Sequence, residues 1–159
     1  MNNQLDQSPL FPDAEQLHRA FHGDTNGAAP MSILDAAARM VPEQHKRKVA
    51  VERLCQADTL SSDELHQAVG DFTAAEVSLA ALATIIDRTV AHVLGARSHV
   101  AGLWHTETVG SVISRMAEMW ITYLDSAQHE DAFWVARMSD AYNCLVLELA
   151  EGRRLPPDM

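Results

Sequence analysis

Three stretches of the chain repeat apolar residues every three or four positions. Leu79, Leu82, Ile86, Val90 and Val93 mark the first. Val109, Val112, Ile113, Met116, Met119, Trp120 and Tyr123 mark the second, and Trp134, Met138, Ala141, Tyr142, Leu145 and Leu149 the third. A period near 3.6 gathers such side chains on one stripe of a helix, and a stripe needs a neighbouring helix to cover it. The spacing predicts helices over Thr73–Leu94, Thr106–Ala127 and Glu130–Glu151. The short link from Ser126 to His129 makes the last two antiparallel neighbours.

Local start and stop signals add shorter helices over Asp13–His22, Met31–Met40, Pro42–Ala57 and Ser62–Val69. Asp13 with Gln16, Ser61 with Glu64, and Thr73 with Glu76 have the spacing of capping boxes, in which a side-chain oxygen serves a free amide and the third residue reaches back. Pro42 suits a first helical turn, where its missing N–H costs nothing. Gly23, Gly70, Gly95 and Gly152 stand where helices are expected to stop. His22 to Pro30 reads as a polar connection. The expected fold is all-α: an antiparallel bundle of three long helices with shorter N-terminal helices packed across it. Its expected limits are a tail over 1–12, one helical domain over 13–152 and a C-terminal tail over 153–159.

Composition narrows the function more by exclusion than by suggestion. The 159 residues suit one domain with a continuous core. Charges interrupt every apolar stretch, so no membrane span is expected. The N-terminus has Asp6 and no basic cluster, unlike a secretory signal. Cys55 and Cys144, without a CxxC pair, read as buried reduced thiols of a cytoplasmic protein. A net charge of -10 repels phosphate backbones. The pattern from Ser61 to Asp87 has the outline of a helix-turn-helix, but Thr73–Asp87 contains no Lys or Arg to hold a phosphate, so nucleic acid is excluded.

The candidate chemistry centres on Trp104-His105-Thr106-Glu107. With Thr106 as the helix cap, Glu107 falls in the first turn, where the helix dipole favours a carboxylate, while His105 is kept neutral. A neutral imidazole beside an ionised acid is a workable general base. The plainer alternative has Glu107 complementing the dipole and His105 packed on Trp104. Asp87 and Arg88 flank the stripe of one long helix, and Arg115 and Glu118 that of the next. An Asp87–Arg115 pair across the interface is expected to set register or to orient an anionic or hydroxylated ligand. His92, His99 and His105 are spaced by seven and six, which is not a helical metal pair, and His18 with His22 lacks a third ligand. No metal and no cofactor are expected. Trp120, like the other Met and aromatic positions, belongs to the core or to a cavity wall.

The run His105 to Met119, HTETVGSVISRMAEM, resembles the signature of the actinobacterial branch of domain-of-unknown-function family 4254. Phe11–Leu17, Ile86-Asp87-Arg88 and Leu145–Pro156 are similar to flanking features of that family. The resemblance implies a helical domain without an assigned activity, and singles out His105, Thr106, Glu107, Gly110 and Arg115. This chain departs from the pattern at Ser114, where an Asp is expected before the Arg. If that Asp serves a reaction or grips Arg115 in the family, this chain has lost the feature or shifted it to Glu118 or Asp87.

Two functions from different classes are expected. The first is small-molecule binding at the end of the bundle. In it His105 and Glu107 form an acid–base pair, Trp104, Thr106 and Trp120 wall the site, and Arg115, Asp87 or Arg88 hold a polar group. The second is a non-catalytic interaction module, most simply a homodimer, because Val77, Ile85, Phe133, Val135 and Leu147 fall off the main stripes.

Overall fold

A computed structural model describes residues 9–27, 29–95, 103–126 and 128–157. The fold is all-α. Five helices run in the order α1 (Ala14–Phe21), α2 (Met31–Leu54), α3 (Ser62–Gly95), α4 (Val109–Ser126) and α5 (His129–Ala150). A single 3-10 turn, Ala57–Thr59, joins α2 to α3. Among the described residues the strands are two residues each: β1 (Leu103–Trp104) and β2 (Arg154–Leu155) pair in parallel.

The chain therefore has four long helices among the described residues, where three were expected. Met31–Met40 and Pro42–Ala57 are one helix, α2, with Pro42 inside it. Pro42 is on the exposed side, so the Ala38 carbonyl that loses its usual partner can turn to water. Ser62–Val69 and Thr73–Leu94 are likewise one helix, α3, which runs through the exposed Gly70 without a stop. Thr73 does not cap: its hydroxyl donates back to the Val69 carbonyl at 2.9 Å, as a mid-helix threonine does. With no turn at Gly70, the outline of a helix-turn-helix disappears.

Cross-links set the helix directions. Ser32 meets Thr89, Arg47 meets Glu76 and Arg53 meets Asp71, so α2 and α3 are antiparallel. Gln44 meets Ser114 and Arg47 meets Glu118, so α2 and α4 are parallel. The core lies where these helices converge. Leu17, Ile33, Leu34, Met40, Ile86, Ile113, Tyr142 and Leu149 are closed off from solvent. Each such Leu or Ile contributes about 2 kcal/mol through removal of apolar surface from water.

The expected start and stop signals hold at four helix ends. Asp13 and Gln16 form a full capping box on α1, and Ser61 with Glu64 exchange bonds at the start of α3. Gly23 and Gly152 have φ of 90° and 70°, and follow α1 and α5 as left-handed stops. The amide two residues beyond each C-cap bonds back into the last turn, Asp24 to Arg19 and Arg153 to Glu148. The ends expected to trail are partly built in. Phe11 and Pro12 are buried, and the Tyr142 hydroxyl donates to the Pro12 carbonyl at 3.0 Å. Past α5, Arg154–Leu155 pairs with the chain that leads into α4.

Several side chains lie on the other side of the surface from where their spacing put them. Cys55 and Cys144 are both exposed: one is at the end of α2, the other on the outer face of α5. Trp134 is 52% exposed, edge-on to Phe133, because α5 turns this side outward near its start. α3 is apolar beyond its core face. An 18-residue window of it has a mean hydropathy of 1.5, long and apolar enough to cross a membrane by length and composition, in contrast to the expectation of no such stretch. Its core face buries Leu79, Leu82, Ile86 and Val90, while Val69, Val77 and Ile85 stay exposed.

Candidate functional site

The backbone that carries the expected site is held by the β1–β2 pairing. The His105 N–H donates to the Leu155 carbonyl at 2.8 Å, extending that pairing by one rung. A tight turn then enters α4, which begins at Val109. Its cap is Thr108, whose hydroxyl accepts from the Ser111 N–H at 3.1 Å. Thr106 is exposed and lies two residues ahead of that cap. Glu107 therefore precedes the helix and is not in its first turn. The residue that meets the helix dipole is Asp87 of α3, whose Oδ1 accepts from the Gly110 N–H at 2.7 Å.

The expected imidazole–carboxylate pair does not form. His105 Nδ1 stands 2.6 Å from the Glu107 carbonyl oxygen and 3.2 Å from the Glu107 N–H. Two acceptors do not approach to 2.6 Å, so Nδ1 carries the proton and donates to the carbonyl. In the neutral ring, Nε2 then keeps its lone pair. The Glu107 carboxylate turns to Arg115: Nη1–Oε1 is 3.0 Å and Nη2–Oε2 is 2.5 Å, a two-pronged pair between half-exposed groups. The expected Asp87–Arg115 pair is absent for the same reason: each member already has a nearer task. Arg88 is exposed on α3.

Arg115 and Glu107 border a groove of about 340 Å³ between α2, α3 and α4, which Ser111, Ser114, Glu118, Arg47 and Gln44 also line. Four of its polar side chains are tied in two rungs. Gln44 Nε2 donates to the Ser114 carbonyl at 2.9 Å and to its hydroxyl at 3.0 Å. One turn on, Arg47 binds Glu118 at 2.9 Å on α4 and also Glu76 on α3. Burial alone lowers the Arg47 proton affinity, but the bonds to Glu118 and Glu76 outweigh it and hold the guanidinium charged. Ser114, the position where an Asp was expected, thus serves Gln44. Arg115 takes its carboxylate from Glu107, and Glu118 gives its own to Arg47.

Gln44, Arg47 and Ser111 were not singled out from the sequence. Gln44 and Ser114 are 70 positions apart, and only the parallel contact of α2 with α4 joins them. The available signal was His45-Lys46-Arg47-Lys48, a basic run in an acidic chain.

Trp120 does not wall this groove. It lies on the α1 side of α4, stacked on His18 at 4.9 Å between ring centres and met edge-on by His22 at 5.0 Å. His99 and the Trp104 side chain lie outside the described residues. Among the described residues, no group of three His, Cys, Asp or Glu stands together as a metal site. Compared with family models, with curated proteins and with solved structures, the chain matches none.

Proposed function

We propose that the chain is a small-molecule-binding helical protein whose ligand enters the groove between α2, α3 and α4, with Arg115 and Glu107 at its mouth. One observation carries the reading: polar side chains from three helices converge on one concavity, Arg115 and Glu107 forming an ion pair at its rim. Half-exposed ion pairs contribute little to stability, about 0.2–1 kcal/mol each, so the pair can open for a ligand at small cost. A ligand carboxylate or hydroxyl would take the place of Glu107 on the guanidinium fork. In this reading His105 is a positioning residue. Its Nδ1–H fixes the Glu107 backbone, and the acid–base pair expected from the sequence is replaced by binding. The resemblance to domain-of-unknown-function family 4254 implies a helical domain and adds no chemistry.

The test is a thermal-shift screen of phosphorylated sugars, nucleotides and acyl acids on wild type, Arg115→Ala and His105→Ala. A true ligand raises the wild-type Tm and leaves Arg115→Ala where it was. Equal shifts in wild type and Arg115→Ala would remove the groove from the proposal.

The homodimer is the second reading, favoured by the exposed apolar face of α3, on which Val77 is 65% exposed and Ile85 40%. Light scattering at micromolar concentration checks it, and monomer mass throughout would end it.

A further inference from the structure

Among the described residues, Gln44 is the one strongly polar residue in the buried set, 5% exposed, and its amide is half satisfied. Nε2 is spent on Ser114. Because that partner includes a carbonyl, the nitrogen must face it, and the amide orientation is fixed. Oε1 is buried without a hydrogen-bond partner among the described residues. A buried acceptor left empty costs about 1–3 kcal/mol, which is a reason to ask what fills it.

Two openings flank this residue. Gln44, Arg47 and Glu118 line both the 340 Å³ groove and a neighbouring cleft of about 240 Å³. The Arg47–Glu118 bridge is therefore the partition between them, one turn along from the Gln44–Ser114 rung. The other cations that line the two openings, Arg115 and Lys48, are held by Glu107 and Asp125. One guanidinium, Arg47, is shared by two carboxylates, Glu76 and Glu118, and the Gln44 carbonyl adds a third acceptor. The chain's net charge of -10 also raises the local concentration of cations.

We propose that this partition is a binding site for a small organic cation, a primary ammonium or guanidinium, which takes the place of Arg47 on Glu118 and donates to Gln44 Oε1. Arg47 keeps Glu76, so no charge is stranded when the bridge opens. An ammonium offers three donors and no acceptor, which suits a carboxylate beside an amide oxygen. The assignment rests on the groove being a ligand site, and names the class of ligand at its Arg47–Glu118 end.

Agmatine and putrescine are the probes, with 1,4-butanediol and succinate as neutral and anionic controls of similar length, at constant ionic strength. Agmatine or putrescine should raise the wild-type Tm by about 4 °C at roughly twentyfold excess over Kd, and butanediol should not. Glu118→Gln should weaken the amine by at least about tenfold, the loss of one charged hydrogen bond. Gln44→Met, similar in shape but without the acceptor, should weaken it comparably. Glu15→Gln, at an exposed position of α1, should respond as wild type. Equal responses in wild type, Glu118→Gln and Gln44→Met overturn the site, as does a loss in Glu15→Gln as large as in Glu118→Gln, which means diffuse attraction to an acidic surface. A shift by succinate alone, abolished in Arg115→Ala, would remove the cation and leave the groove a binding site. No shift by either amine removes the cation whatever the wider screen finds.

Discussion

Gly110 of α4 is pressed against the backbone of Ala83 on α3. A Cβ on Gly110 would stand 2.4 Å from the Ala83 carbonyl oxygen and 2.7 Å from its Cα. Backbone atoms cannot rotate away, so any side chain here must push two helices apart. The same residue offers its N–H to Asp87. The contact therefore sets both the depth at which α4 sits on α3 and the position of the turn that carries His105 and Glu107.

Gly110→Ala is expected to destabilise the fold by about 3 kcal/mol, the upper part of the range for overpacking. Gly70→Ala makes the opposite prediction on α3. A Cβ on Gly70 meets nothing within 4 Å, so the better helix former should add about 0.5–1 kcal/mol. Urea denaturation of both variants checks the pair, and a neutral Gly110→Ala would show that α3 and α4 do not pack this closely.

The Glu107–Arg115 bridge should matter little to stability. Its side chains are 42% and 47% exposed, and water screens such pairs, so a double-mutant cycle should return a coupling of at most about 1 kcal/mol. A coupling several times larger would mean the pair is structural, and would count against its opening for a ligand.

His105 should occupy the Nδ1–H tautomer when neutral, since Nδ1 lies 2.6 Å from a carbonyl oxygen. Two-bond proton–nitrogen NMR correlations distinguish the tautomers. A ring found as Nε2–H would undo its place as the brace of the Glu107 turn.

Stability should fall as pH drops below about 6.5, the ordinary histidine value. Burial against Trp120, and then the nearby His22, push the His18 pKa down. The unfolded chain thus takes up the proton first, and the stabilisation from neutral His18 is complete above about 6.5 and lost as pH falls through its lower folded value. His18→Phe keeps a ring on Trp120 and should flatten the dependence of Tm on pH between 7.5 and 5.5. An unchanged slope would mean that another group sets it.

Tyr142→Phe tests how the N-terminal segment is held. The Tyr142 ring is fully buried, burial pushes its pKa up so that it stays neutral, and its hydroxyl serves the Pro12 carbonyl. Loss of that bond strands a buried acceptor at a cost of about 1–3 kcal/mol. Faster proteolysis near Phe11 should accompany the lower Tm. A Tm equal to wild type would show that water replaces the hydroxyl.

What the sequence by itself determined is what lies within about four residues along the chain. The stripes of α3 and α4, the Tyr142, Leu145 and Leu149 part of the α5 stripe, the caps at Asp13 and Ser61, and the stops at Gly23 and Gly152 were legible, since helical periodicity and capping are local. Tertiary structure decided the rest. Pro42 and Gly70 interrupt nothing because α2 and α3 bury their faces against each other along their lengths, and that packing outweighs a weak local signal. The Glu107 carboxylate goes to Arg115, eight residues on, since the chain turns before α4 begins. Gln44, Arg47 and Glu118 come together only because α2 and α4 run side by side. Local pattern does not say which helices those will be, because that choice belongs to the packing of the whole core.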